Sequence, residues 1–484
     1  MHRLNKYLFI AGTILQQEWR YMWRTALLPA IVAILLLTSG IALYYGQRVT
    51  GQHRNTIDSL QQHYEGQRIF LQKNLKSDTT TAQGKAAYIS AAWPAVADHR
   101  LHCHAYNPPS PFSILSVGMS DLSAYYYPVS VKSSYTPAEE KVSNPLQLIS
   151  GNFDTAFLLI YLLPLLAICI SYHLLAQEKE QGTLALLEVQ KGDIAGIVLV
   201  RLLSRYLLLL ISIVFISTTG ILLYTPLHHF SWLEWTAWNS VAAAWLALWM
   251  ALIWFVIAWN TNAATNLVVL LSVWLLLLII LPAGCRLMIS RSHTDDTAGN
   301  ASLQRSIEWT TWDLPKKQLL DSFYQTYPQY RNPQAYDTSD NSSRHAMAYY
   351  ELVDRRMQRI ITTQEFSSSN ELKAVASSLR YNPAVYTQLL LNSIARTDVS
   401  DYGYFRRQVQ QFRYQWKQFF YQLHFNDQLL TDAGYKALPA YHPSYDPESP
   451  ARWYNGILYL LMLTVVWMMA GWLVFRKRLA QRDF

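Results

Sequence analysis

Six stretches of the chain, residues 26–45, 156–175, 206–224, 238–258, 267–285 and 456–475, contain no Asp, Glu, Lys or Arg. Each runs 19 to 21 residues, the length at which an α-helix crosses about 30 Å of hydrocarbon. Buried helices of a water-soluble protein rarely stay uncharged for that length six times over, so the pattern predicts six transmembrane helices. Ahead of the first, Leu4, Leu8, Ile14, Leu15, Trp19, Met22 and Trp23 fall among Lys6, Gln16, Gln17, Glu18, Arg20 and Arg24. This spacing suits an amphipathic helix over residues 1–25 lying in the membrane interface; a plain extension of the first span is the alternative.

Two long polar insertions, 46–155 and 286–455, separate the spans and predict two domains outside the membrane. The first opens on a polar helical stretch at 54–76 and breaks at Asn107-Pro108-Pro109-Ser110-Pro111, with an irregular Tyr125-Tyr126-Tyr127-Pro128 beyond. In the second, Tyr349, Leu352, Val353, Arg356 and Ile360 share one helical face, and Val409, Phe412, Trp416, Phe419 and Leu423 recur at three and four. Such stripes imply helices packed on helices. Within the second span, Pro164 lacks an amide hydrogen and favours a kink, tolerable in a membrane where neighbours or water satisfy the freed carbonyl. It is a candidate hinge, or a bend set by packing alone.

Composition agrees with the spans, since 51% of the 484 residues are hydrophobic and 15% charged, against a usual charged share of about 25%. Charge then orients them. With a cytoplasmic N-terminus, residues 1–25, 176–205, 259–266 and 476–484 lie inside, with twelve basic and six acidic groups, 17% basic. The 293 remaining non-span residues carry 28 basic and 26 acidic groups, 10% basic. The positive-inside rule therefore puts both termini in the cytoplasm of a multi-pass inner-membrane protein. It also absorbs most of the net +8, leaving little for nucleic-acid binding to explain. Three cysteines, Cys103, Cys169 and Cys285, define no disulfide framework.

Several chemistries are missing. No Gly-x-x-x-x-Gly-Lys-Ser/Thr, Gly-x-Gly-x-x-Gly or His-Glu-x-x-His sequence occurs, so the chain is expected to be non-catalytic and to bind no cofactor. The spans hold no charged residue of the kind expected in ion relays. If something moves against a gradient, the energy is expected to enter through another subunit. His99, His102, Cys103 and His104 supply four donors that suit copper or zinc. Neighbours at 102, 103 and 104 cannot all point inward on a strand, so an ordinary surface loop is the preferred reading and a metal site the alternative. The aromatic content of 14% fits interfacial belts and helix cores, or a glycan or lipid-head surface.

Between the second and third spans lies Gln177-Glu178-Lys179-Glu180-Gln181-Gly182-Thr183-Leu184, with Arg201 farther on. Here the chain resembles the permease subunits of ABC-2 type transporters, in which Glu-x-Glu-x-Gly-Thr-Leu recurs after the second span. Asn144-Pro145, Gly151-x-Phe153-Asp154-x-x-Phe157, Pro164-Leu165-Leu166 and Ser171-Tyr172 look like the DUF3526 branch, similar to the NosY-like permeases. So does a block from Asn382-Pro383-Ala384 through Thr397-Asp398, Phe405, Phe412-Arg413 and Trp416. The resemblance departs at Gln190, where a proline is common, and at Arg201, where a lysine is usual.

That resemblance implies an α-helical polytopic fold of the type V ABC exporter kind, with six spans and two extracytoplasmic insertions. It implies two permeases, the second a copy or a paralogue, and a pair of separate ATPase subunits in which ATP and Mg2+ act. The N-terminal helix and the crossover would contact the ATPases, which assigns Glu178, Glu180, Gly182, Thr183 and Arg201 to coupling. The alternative is a membrane-anchored binding or assembly module for an envelope component or for metal-enzyme maturation. A single anchor needs one span, and six with short connections favour translocation.

Overall fold

A computed structural model describes residues 12–13, 15–20, 22–24, 26–132, 152–182, 194–224, 230–259, 262–284, 297–331, 343–358 and 381–481. Among them six helices are long and apolar enough to cross a membrane: Leu28–Asn74, Thr155–Glu180, Ile194–Tyr224, Trp232–Trp259, Ala263–Gly284 and Pro450–Arg478. They are the first to sixth spans below.

The first span belongs to one uninterrupted 48-residue helix, Leu27–Asn74, about 72 Å long at 1.5 Å per residue. The predicted span and the polar stretch at 54–76 are thus one helix, because residues 46–53 hold no proline to stop it. Gly46 allows the Ile114 carbonyl to lie where a Cβ would otherwise stand. At the other end Ala26 takes a left-handed backbone, φ 53, and breaks the chain between the helical residues 22–24 and the span.

The fourth span is the axis of the bundle. From Val241 to Ala258 it is apolar on every face, the mark of a helix surrounded by protein, and Trp238, Trp245, Trp249 and Trp254 are all fully buried on it. Gly471 of the sixth span lets that helix lie directly on the Trp254 ring, as small residues do where membrane helices approach closely. Trp254 donates to the Met468 carbonyl at 3.2 Å and stacks on Phe475. The fifth and sixth spans leave most of their apolar surface uncovered by protein.

The second and fifth spans share an irregularity. Each contains one π-helical segment, Leu158–Leu162 and Leu276–Ile280, ending two residues before a proline, Pro164 and Pro282. Leu163 donates its N–H to Leu158 and Leu281 to Leu276, and the next residue, being proline, has no N–H to offer. The carbonyls of Leu159 and Leu277 thereby lose their helical donors. Trp245 Nε1 donates to Leu159 at 3.2 Å, and Asn382 Nδ2 to Leu277 at 2.7 Å.

Outside the bundle the two insertions share one hydrophobic core. Leu71, Ala91, Leu101, Ala105 and Val129 of the first pack with Phe323, Phe412, Trp416, Phe420 and Tyr421 of the second. Cys103–Tyr106 and Tyr126–Val129 pair as an antiparallel two-stranded sheet, so the tyrosine run that reads as irregular is a strand. The helix Val399–Phe425 is the domain's spine. Its predicted stripe is buried at Val409, Phe412 and Trp416, whereas Phe420 and Tyr421 lie deeper than Phe419 and Leu423. Ile360, from the other predicted stripe, falls outside the described residues.

Several buried carboxylates and one lysine of this core are paired, as burial requires. Asp98 accepts hydrogen bonds from Trp416 Nε1 at 2.7 Å and Val131 N at 3.0 Å, linking the insertions. Glu351 accepts from Tyr327 at 3.0 Å and Tyr421 at 2.8 Å, and Lys417 pairs with Asp354 at 2.7 Å.

Candidate functional site

At the end of the bundle where the first span begins and the sixth ends, charges converge from three parts of the chain. Glu18, from the helical residues 15–20, is only 8% exposed. Its carboxylate meets Arg201 of the third span at 3.0 Å, and the same guanidinium meets Glu178 at 2.8 Å. Arg205, one turn farther along the third span, is buried. It lies 3.4 Å from Glu18 and also donates to the Ile170 carbonyl near the end of the second span. Two arginines one helical turn apart face the same way, so the third span presents both to one carboxylate. Glu18 is the counter-ion that both arginines share, and breaking a buried pair of this kind costs about 3 to 5 kcal/mol.

The two predicted coupling glutamates occupy different surroundings. Glu178 is held inward by Arg201, while Glu180, two residues on, is exposed and joins no ion pair among the described residues. Gly182 has φ +69, a left-handed turn with open space around it, and so redirects the chain after the helix Ala176–Glu180. Thr183 and Gln190 lie outside the described residues. Glu18 and Arg205 are the members that motif reading missed. The available signal was that Glu18 is the one acidic residue among the first 25, placed where topology favours basic ones.

The histidine segment is arranged otherwise. His102 adopts a left-handed backbone, φ 48, at the end of the helix Pro94–Leu101. Its ring lies 6.1 Å from that of His99 and 5.5 Å from that of His63 on the long first helix. Cys103 points the opposite way into the core, where burial pushes its thiol up to about 12. Burial also lowers the His104 imidazole below its ordinary value. Strand alternation thus separates Cys103 from its neighbours, and among the described residues no three His, Cys, Asp or Glu side chains are grouped to hold a metal ion.

A third set of contacts fastens the domain to the spans. Asp154 accepts from Phe157 N and Val117 N, each at 2.8 Å, capping the second span. Arg396, at the left-handed end of the helix Pro383–Ala395, pairs with buried Glu234 of the fourth span and lies over the Tyr445 ring at 3.5 Å. Trp453 Nε1, in the first turn of the sixth span, donates to Ser393 at 3.1 Å.

Six apolar helices, a core shared by the two insertions and charges gathered where the first span begins and the sixth ends define a multi-pass helical membrane protein. Residues 301–444 match the family model described as domain of unknown function (DUF3526), which places that part of the chain in the family. The match covers the larger insertion, including the block from Asn382 to Trp416, and none of the spans. No curated protein and no solved structure matches the chain.

Proposed function

We propose that the chain is the transmembrane permease subunit of an ABC-2 type transporter, an exporter of the type V architecture. In this reading it moves its substrate across the inner membrane using ATP hydrolysed by a separate subunit, both termini are cytoplasmic, and a second permease completes the pathway. The observation that carries it is the Glu18–Arg201–Glu178 clasp. One guanidinium ties the N-terminal helix to the last turn of the second span, so a partner pressing on either displaces both, and with them the second and third spans. Glu180 and Gly182 stand free on the adjoining turn, where an ATPase can reach them. The partner supplies the phosphate-binding loop that this sequence lacks.

The first test is the neighbouring coding sequence, where an adjacent Walker-A ATPase supports transport and an isolated gene favours anchoring; the second is co-purification of the chain with such an ATPase. An interface charge left unpaired costs about 2 to 5 kcal/mol. Glu180→Gln should therefore weaken association about 30-fold or more while the permease still inserts and folds. Glu178→Gln should preserve association and uncouple ATP hydrolysis from transport. Wild-type association and coupling in both variants would remove this assignment and favour the anchored binding module.

A further inference from the structure

The second and fifth spans carry the same local device. A π-turn places the orphaned carbonyl five residues before a proline, at Leu159 and at Leu277, and a side chain from another part of the chain supplies the missing donor. A helix lacking a backbone bond beside a proline bends at that point when the substitute leaves, and π-turns recur at functional positions of helices. The substitutes differ in origin. Trp245 is fully buried in the fourth span, so the Leu159 carbonyl is held from within the bundle. Asn382 belongs to the extramembrane domain, and its Oδ1 simultaneously accepts from Ala384 N at 2.9 Å to cap the helix Pro383–Ala395. The donor to Leu277 therefore travels with that helix.

We propose that the two spans are paired hinges and that the extramembrane domain locks the one in the fifth span through Asn382. The helix that carries the lock also touches the fourth span through Arg396 and Glu234 and the first turn of the sixth through Ser393 and Trp453. Tilting it away from the bundle withdraws the amide from Leu277. The hinges communicate, because Trp274, three residues before Leu277, donates its Nε1 to the Tyr161 carbonyl inside the π-turn of the second span at 3.1 Å. A bend in the fifth span moves that indole and loosens the second span. The last turn of the second span also holds Glu178, in the clasp with Arg201. A cargo or envelope component engaging the domain thus alters the end of the bundle where the first span begins and the sixth ends, without any covalent step.

The proposal deepens the transport reading by assigning its moving parts, and its test needs no ATPase, so the two fail separately. Backbone hydrogen exchange is measured on the full chain in lipid nanodiscs. Asn382→Asp keeps the acceptor that caps Ala384 and lacks the donor to Leu277. It should raise exchange at residues 277–284 about tenfold, the scale of one lost hydrogen bond, and raise it at 159–166 as well, with the helix Pro383–Ala395 still protected. Adding Pro282→Ala restores an N–H beside the orphaned carbonyl and should return exchange at both segments to the wild-type rate. Trp245→Phe, rescued by Pro164→Ala, is the independent pair for the second span. Unchanged exchange in Asn382→Asp and Trp245→Phe, or failure of both alanine variants to rescue, overturns the proposal.

Discussion

Asp98 sits in the core where the two insertions meet, and burial outweighs its hydrogen bonds from Trp416 and Val131, raising its pKa to about 6. The unfolded carboxyl titrates near 3.9, so between about pH 4 and 6 the folded state holds the proton more tightly. The stability this proton contributes is complete below pH 4 and is lost as pH rises to 6, in total about 3 kcal/mol. His424 works in the opposite direction, since burial lowers its pKa to about 4 and acidification below 6.5 then costs stability. The comparison must therefore be made against a variant. Asp98→Asn, followed by thermal unfolding at pH 4.5 and 7.0, should lose most of the acid-side stabilisation that the wild type shows relative to it. An identical pH dependence in both would mean that Asp98 stays charged in the fold. This residue was not legible in the sequence, because an aspartate on a short polar helix looks solvated until Trp416, 318 positions away, is folded over it.

At the scale of elements, the spans were legible and their joints were not. An uncharged window reports its own length, and length alone decides whether a helix can cross hydrocarbon. The union of the first span with the polar helix after it was hidden by the change in composition, because hydropathy falls at residue 46 while backbone geometry does not change. The strand Tyr126–Val129 was hidden for another reason: it is four residues long and exists through its pairing with Cys103–Tyr106. Of the coupling elements, Glu178 and Glu180 stand in a recognisable run, yet only the fold divides them into an inward and an outward group. Close packing of the fourth and sixth spans gives a further test. A Cβ at Gly471 would meet the Trp254 ring, and overpacking of this kind costs about 1 to 3 kcal/mol. Gly471→Leu should lower the midpoint of thermal unfolding in detergent, whereas Met469→Leu, on the exposed face of the same helix, should leave it unchanged. Equal midpoints for the two would mean that the helices do not meet at this glycine.

For the whole molecule, six crossings place the termini on one side and the shared-core domain on the other. Single cysteines at Lys317 and Glu180, both exposed, should therefore be labelled by an impermeant maleimide from opposite faces of the membrane, with position 180 reached from the cytoplasm. Labelling of both from one face would reject the six-span arrangement. The sequence by itself determined the number of spans and the lack of a phosphate-binding loop, since each depends on consecutive residues. Only the tertiary structure decided that two insertions 130 residues apart form one core, that Arg201 joins Glu18 to Glu178, and which side chains satisfy the carbonyls orphaned before Pro164 and Pro282. The physical reason is the separation of the partners. A proline announces that a carbonyl will lose its donor, but the replacement comes from 86 residues away for Leu159 and 105 for Leu277, and no local pattern records a contact made by packing.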